Sequence, residues 1–281
     1  MKKIIILLSL TMFLFACKQH KKVAEEFTSS IHPEYYGNWV GDFIAEEYKP
    51  EKEYMYINKI NIKIVNISSD NKVTAMSIVA GNKRSLKGDY DALLKKFVLK
   101  EPGDNKYDGT FIFTVANDTL KGEWTSYDTS LPVTKRTFQL TKMNFVYNKI
   151  LMLPTDGEYV DYFNSKSKEV EVDSGMMITE RIYRSASKKI LEINASTMLL
   201  KEADLKNLKK LDMEIIRNTI FARHGYTFKK KVVRQFFDPV IWYVPMYDDV
   251  KDKLTEIEIK NIALLSRFEK YAEDNYETFG R

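Results

Sequence analysis

Cysteine and histidine are scarce in this chain: of 281 residues one is cysteine and three are histidine. A lone thiol closes no disulfide within the chain, so the folded part rests on apolar burial rather than on cross-links. His20 and His32 precede the first strand-like run, which leaves His224 as the only imidazole in a patterned region. No Gly-x-Ser-x-Gly, His-Glu-x-x-His, phosphate-cradling glycine loop or Cys/His pair occurs, so nucleophilic or zinc chemistry would have to be assembled from scattered residues. The sequence names no cofactor and no metal. Long apolar runs are missing as well; the longest, residues 4–15, is too short to cross a bilayer as a permanent helix. Charge of one sign is not in excess either. With 44 basic against 39 acidic residues, the balance argues against a nucleic-acid partner.

What is present begins with Cys17. Lys2 and Lys3 precede the apolar run, which ends in Leu14-Phe15-Ala16-Cys17. A plain secretory leader closes on a small-x-small site, and here Leu14 stands where the first small residue belongs. The segment resembles a bacterial lipoprotein signal. That resemblance implies cleavage after residue 16, acylation of Cys17 (palmitate-like chains) as the mature N-terminus, and anchorage in the cell membrane or outer membrane on the periplasmic or exposed side. Cleavage removes two lysines and no acid, leaving 42 basic residues against 39 acidic. Residues 17–34 read as a tether, and Lys18, Lys21 and Lys22 beside a lipid favour anionic headgroups by about 1 kcal/mol each. Enterobacterial inner-membrane retention commonly uses an aspartate after the cysteine; Lys18 departs from that and leaves the leaflet open.

Residues 35–143 carry eight strand-like runs, at 39–47, 54–67, 72–80, 83–89, 94–100, 109–116, 119–126 and 133–141. Ile60, Ile62 and Ile64 alternate with Asn61 and Lys63, and Phe138 and Leu140 alternate with Thr137, Gln139 and Thr141. Turn formers separate the runs, among them Gly81-Asn82 and Asn117-Asp118. Glycines recur two residues before aromatics, as in Gly37 and Trp39, Gly109 and Phe111, Gly122 and Trp124. Each is expected to let a strand bend while the neighbouring ring covers its bare backbone. Closure into a small antiparallel barrel hides the edges of such a sheet. Gly37-Asn38-Trp39-Val40-Gly41 resembles the first strand of lipocalin-like barrels, in which a tryptophan plugs one end.

The texture then changes. Residues 144–196 read as a linker with a small β hairpin around 173–175 and a third strand at 190–193, a small sheet expected to pack against the C-terminal portion. Residues 197–275 turn helical. Asp212 stands as a plausible N-cap before 213–224, Gly225 sits where a left-handed residue ends a helix, and Thr255 with Glu258 forms a capping-box pattern before a helix to about 272. The fold class is therefore α+β: barrel, β connector, helical domain. Leu211-Asp212-Met213-Glu214-Ile215-Ile216-Arg217-Asn218, Ile220-Phe221-Ala222-Arg223-His224-Gly225-Tyr226-Thr227-Phe228, Phe236-Phe237, Trp242-Tyr243-Val244-Pro245 and the run 254–262 strongly resemble a YARHG domain over 199–271. Phe221 replaces the tyrosine of the naming motif. The resemblance implies an extracellular module and no particular chemistry.

On a helix from 213, Arg217 and His224 share a face with Met213, Ile216 and Ile220. Two readings compete. In the structural one Arg217 reaches a carboxylate or loop carbonyls and His224 closes the last turn. In the functional one Arg223 and His224 face a cleft with Trp242 and Tyr243 and meet an anionic ligand. The whole chain reads as a membrane-anchored envelope lipoprotein that binds or scaffolds without catalysis, with the bilayer as one partner through Cys17 and an envelope protein or glycan as another. The alternative is a carboxylate-dependent hydrolase of cell-wall or surface glycans, which needs two acids about 5 to 9 Å apart in a cleft. A barrel interior lined by Phe111, Phe113 and Trp124 with a few polar groups would instead mark ligand binding.

Overall fold

Alternation along each early strand sends one residue set inward and the other outward. A computed structural model of the chain describes residues 31–172 and 175–272; the leader, Cys17, most of the tether and positions 173–174 lie outside the described residues. Eight strands, β1 (Gly37–Tyr48), β2 (Ile57–Ile67), β3 (Lys72–Val79), β4 (Asn82–Asp91), β5 (Lys96–Lys100), β6 (Gly109–Ala116), β7 (Thr119–Ser126) and β8 (Val133–Met143), form a closed antiparallel barrel in sequence order. β1 pairs with β8, setting Gly41 opposite Leu140 and Phe43 opposite Phe138, so no edge strand remains.

The two ends of the barrel differ. At the end where β1 begins, the interior is filled by Trp39, Ile62, Ile64, Tyr90, Phe97 and Phe113, with Phe97 stacked on Phe113 at 4.8 Å. The Trp39 indole donates to the Tyr35 carbonyl at 2.8 Å, and Tyr35 lies edge-on to Tyr90 and Phe97. The chain entering the barrel is tied to the same end, since the Ile31 amide donates to the Ile67 carbonyl at 3.0 Å. Toward the opposite end the inward positions become polar: Asn58, Ser77, Arg84, Glu101, Ser126 and Arg136.

The glycines behave differently from expectation. The ring over Gly109 is not Phe111 along its own strand but Trp124 across the ladder, whose indole occupies the space a Cβ on Gly109 would need. Residues two apart on one strand share a face but stand about 7 Å apart, and a long ring from a diagonal position on the neighbouring strand reaches across that gap.

The chain then leaves the barrel for β9 (Val160–Val172) and β10 (Met176–Ser185), an antiparallel pair by itself. Only its base packs. Asp161 accepts from Arg184 Nη2 at 2.9 Å and from Gln235 Nε2 at 2.9 Å, while most of both strands is exposed. The expected packing of this sheet against the C-terminal portion thus holds at its base alone; Val170, Val172, Met176 and Ile178 share one face near the tip, where Met176 and Ile178 are exposed. The expected strand at 190–193 is a 3-10 turn at Lys188–Leu191: the Ser187 hydroxyl accepts from the Lys189 amide and starts the turn instead.

Four helices complete the chain: α1 (Glu202–Leu205), α2 (Lys210–Arg223), α3 (Lys231–Phe237) and α4 (Glu256–Glu269). α2 starts earlier than expected. Asp212 is not its N-cap but lies in the first turn, accepting from the Lys209 amide at 2.9 Å and from the Ser187 amide and hydroxyl at 2.6 and 2.8 Å. Gly225 ends α2 with φ of +73°, and a Cβ there would press on the Phe145 ring. Thr255 caps α4 with Glu258 as foreseen, though α4 stops at Glu269. A second core, including Leu211, Ile216, Ile220, Phe237, Tyr243 and Leu265, lies between these helices.

The helical part rests on the outer face of β2. Asn61 points out of the barrel yet is fully buried, donating to the Pro245 carbonyl at 2.9 Å, and Lys59 beside it donates to the Val240 carbonyl. Burial lowers the Lys59 ammonium to about 8 and raises the Asp238 carboxyl near it to about 6. At the barrel rim Arg234 Nη1 donates to Asn58 Oδ1 at 2.7 Å and Lys231 pairs with Glu53 at 2.5 Å. Among the described residues no helix is long and apolar enough to cross a membrane.

Candidate functional site

The polar end of the barrel encloses a cavity of about 520 Å³ beneath α3. Its apolar surface combines the rings of Phe43, Phe111 and Trp124, from β1, β6 and β7, with Val79, Leu131 and Val133. Its polar groups come from inward positions of five strands, Asn58 on β2, Ser77 on β3, Arg84 on β4, Trp124 Nε1 on β7 and Arg136 on β8, and from Glu101 just after β5. α3 and the residue run before it add Lys229, Lys231 and Arg234, and exposed Glu53 and Tyr107 lie on the rim.

Two acids serve the rim itself. Glu101 accepts from the Gly109 amide at 2.7 Å, Trp124 Nε1 at 3.1 Å and Ser77 Oγ at 3.2 Å. Burial outweighs these bonds and raises its carboxyl above the ordinary range. For Asp108 burial acts the same way, yet Arg84, at 2.9 Å and 2.6 Å, and the Gly103 amide outweigh it and hold the carboxyl below its ordinary value. Residues 101–108 are thereby clamped to the barrel.

Arg136 is differently placed. It is buried, its guanidinium lies 5.2 Å from the Phe43 ring centre, and it donates to the carbonyls of Phe43 at 2.9 Å, Met55 at 2.9 Å and Tyr56 at 3.2 Å. No carboxylate among the described residues pairs with it. Burial, together with repulsion from Arg234, lowers it to about 10. Arg234 is 5% exposed, stands 3.5 Å from Asp238, and keeps Nε without a hydrogen-bond partner.

The motif residues singled out from sequence lie elsewhere, inside the helical domain. Arg223 is 2% exposed and donates to the Leu151 carbonyl at 2.7 Å and Ser196 Oγ at 2.9 Å. His224 Nε2 sits 2.8 Å from Glu258 Oε2, with the Tyr147 ring stacked on the imidazole at 4.2 Å. Trp242 Nε1 donates to the Met152 carbonyl at 2.8 Å and Tyr243 to the Tyr226 carbonyl at 2.7 Å. Arg223 and Trp242 thus meet on one main-chain segment, Leu151 and Met152, whereas His224 and Tyr243 point to separate partners. Arg217, on the same helix, pairs with Glu269 through two bonds of 2.6 and 3.0 Å. Among the described residues no group of three or more His, Cys, Asp or Glu could hold a metal.

The molecule is an α+β protein in which an eight-stranded barrel carries a cavity roofed by a helical domain. That helical part, residues 187–270, matches the YARHG domain. The match begins before 199, and the added residues hold Ser187, which ties to Asp212 of the motif helix. No curated protein matches the chain.

Proposed function

We propose that the chain is an envelope lipoprotein, anchored through acylated Cys17, that binds a small ligand without catalysis at the mouth of its barrel. One observation carries the binding reading: a cavity of about 520 Å³, lined by aromatic and aliphatic side chains, into which polar groups from five strands and α3 converge. This is the composition of a small-molecule site. Native mass spectrometry of protein taken gently from its own envelope tests it. A stoichiometric small-molecule adduct is expected, and its loss on mutation of the cavity would place it there. The anchor is tested on the same sample, where the N-terminal peptide should begin at Cys17 with added acyl mass; an unlipidated N-terminus at another residue would defeat that part.

A hydrolase is the second reading, favoured by one feature. Glu101 and Asp108 line one cavity and have their carboxyls pushed in opposite directions, the pattern of an acid and its partner. Incubation of isolated envelope glycan with wild type and Glu101→Gln separates the two. New reducing ends from wild type alone would support hydrolysis; none from either protein supports binding.

A further inference from the structure

Resting on the binding reading, the cavity also carries information about what it holds. Five cationic side chains line it, Arg84, Arg136, Lys229, Lys231 and Arg234, against three carboxylates, Glu53, Glu101 and Asp108. The carboxylates are spoken for. Asp108 and Asp104 both pair with Arg84, Glu53 pairs with Lys231, and Glu101 accepts only from neutral donors. Arg136 is left among carbonyl oxygens, which solvate a guanidinium without cancelling its charge. Across from it stands a second buried arginine, Arg234, with one N–H unbonded and a single carboxylate at 3.5 Å. Two buried guanidiniums that repel each other form a costly arrangement unless an anion comes between them. The same neighbourhood supplies flat apolar surface in Phe43, Phe111 and Trp124.

We propose that this cavity takes a small organic anion with a flat apolar body, its acid group held by Arg136 and Arg234 and its body lying on Phe43, Phe111 and Trp124. A cation is refused by the two arginines. A neutral sugar would leave their charge uncompensated. Arg136 is the anchor because its carbonyl partners hold the guanidinium in place before any ligand arrives, which lowers the ordering cost of binding.

Two dyes with the same ring framework make the test: 1-anilinonaphthalene-8-sulfonate and N-phenyl-1-naphthylamine, which lacks the sulfonate. Both are titrated by fluorescence into the full chain carrying Cys17→Ser, purified without detergent. The sulfonate dye is expected to bind one-to-one and about ten- to a hundredfold tighter than the neutral dye, the worth of a charge-assisted hydrogen bond. Arg136→Met should bring the two affinities level, with a thermal melt showing that the variant folds. Should it not fold, the wild-type comparison decides alone, and raising salt should weaken only the sulfonate dye. Equal affinities in wild type, or a preference that survives Arg136→Met, would overturn the anion assignment while leaving a ligand cavity in place. Binding of neither dye would bring down the cavity reading as well.

Discussion

Glu258 serves four partners at once, His224, Thr255, Tyr147 and Ser196. Its Oε2 meets His224 at 2.8 Å and the Thr255 amide at 2.9 Å, and its Oε1 accepts from Tyr147 at 3.0 Å. Burial works against the charge, yet the bonds from His224, Ser196 and Thr255 outweigh it and hold the carboxyl down to about 2. Because the folded value lies below the ordinary 4.5, this group contributes stability that is complete above about pH 4.5 and is lost as pH falls toward 2. Urea midpoints measured across that window should fall for wild type and fall less for Glu258→Gln. At neutral pH the same substitution should cost about 1 to 3 kcal/mol, since Glu258 is fully buried and its carboxylate accepts from the Thr255 amide and Tyr147 beside its contact with His224. Arg217 offers a milder case. Its pair with Glu269 is bidentate but partly solvated, at 24% and 14% side-chain exposure, so Arg217→Met should cost about 1.5 to 3 kcal/mol in urea unfolding. A cost near zero would mean that solvent already screens the pair.

The strands were legible because each carries a period of two. The inward face of β2 runs Ile60, Ile62, Ile64, and that of β8 runs Phe138, Leu140, so placing the residues fixed the face. The same pattern held an unread signal. Arg136 stands two before Phe138, Glu101 two after Leu99, and Arg84 two before Leu86, so each charge falls at an inward position. A charge in an apolar register marks a polar interior, but only a closed barrel brings five strands of separate sequence together. The lone histidine drew attention to a helix end whose groups the fold uses internally. The extended texture around 190 misled for another reason: the three apolar residues of 190–193 satisfy a strand or a turn equally well, and the Ser187 hydroxyl decides. Two tests belong to these elements. Trp39→Ala should cost about 3 to 5 kcal/mol, as loss of a large buried ring does, because Trp39 is 1% exposed within the filled end. Gly109→Ala should shift the Trp124 indole off Glu101, read as a changed near-ultraviolet dichroism band with the far-ultraviolet strand signal retained; an unchanged band would show that the ladder absorbs the methyl by itself.

The barrel and the helical domain meet through buried polar groups on the outside of β2, flanked in register by the buried, outward-facing Val40 and Ile78. Asn61 is fully buried on the outside of β2 and satisfies the Pro245 carbonyl, so Asn61→Ala strands that carbonyl at a cost of about 1 to 3 kcal/mol. Calorimetry of the full chain should show one transition for wild type and two for Asn61→Ala, with the helical part melting first. A single unchanged transition would locate the coupling elsewhere, at Arg234 and Asn58. The two ends of the barrel carry a consequence of their own. The chain enters at the filled end, where the Ile31 amide holds the Ile67 carbonyl, and the cavity opens at the other, among Glu53, Asn105 and Tyr107. With Cys17 acylated as proposed, the residues before Ile31 reach at most about 50 Å, and they pull on the closed base of a cup. On that proposal the mouth lies at the end opposite the attachment point, which leaves it free to take cargo from the aqueous side.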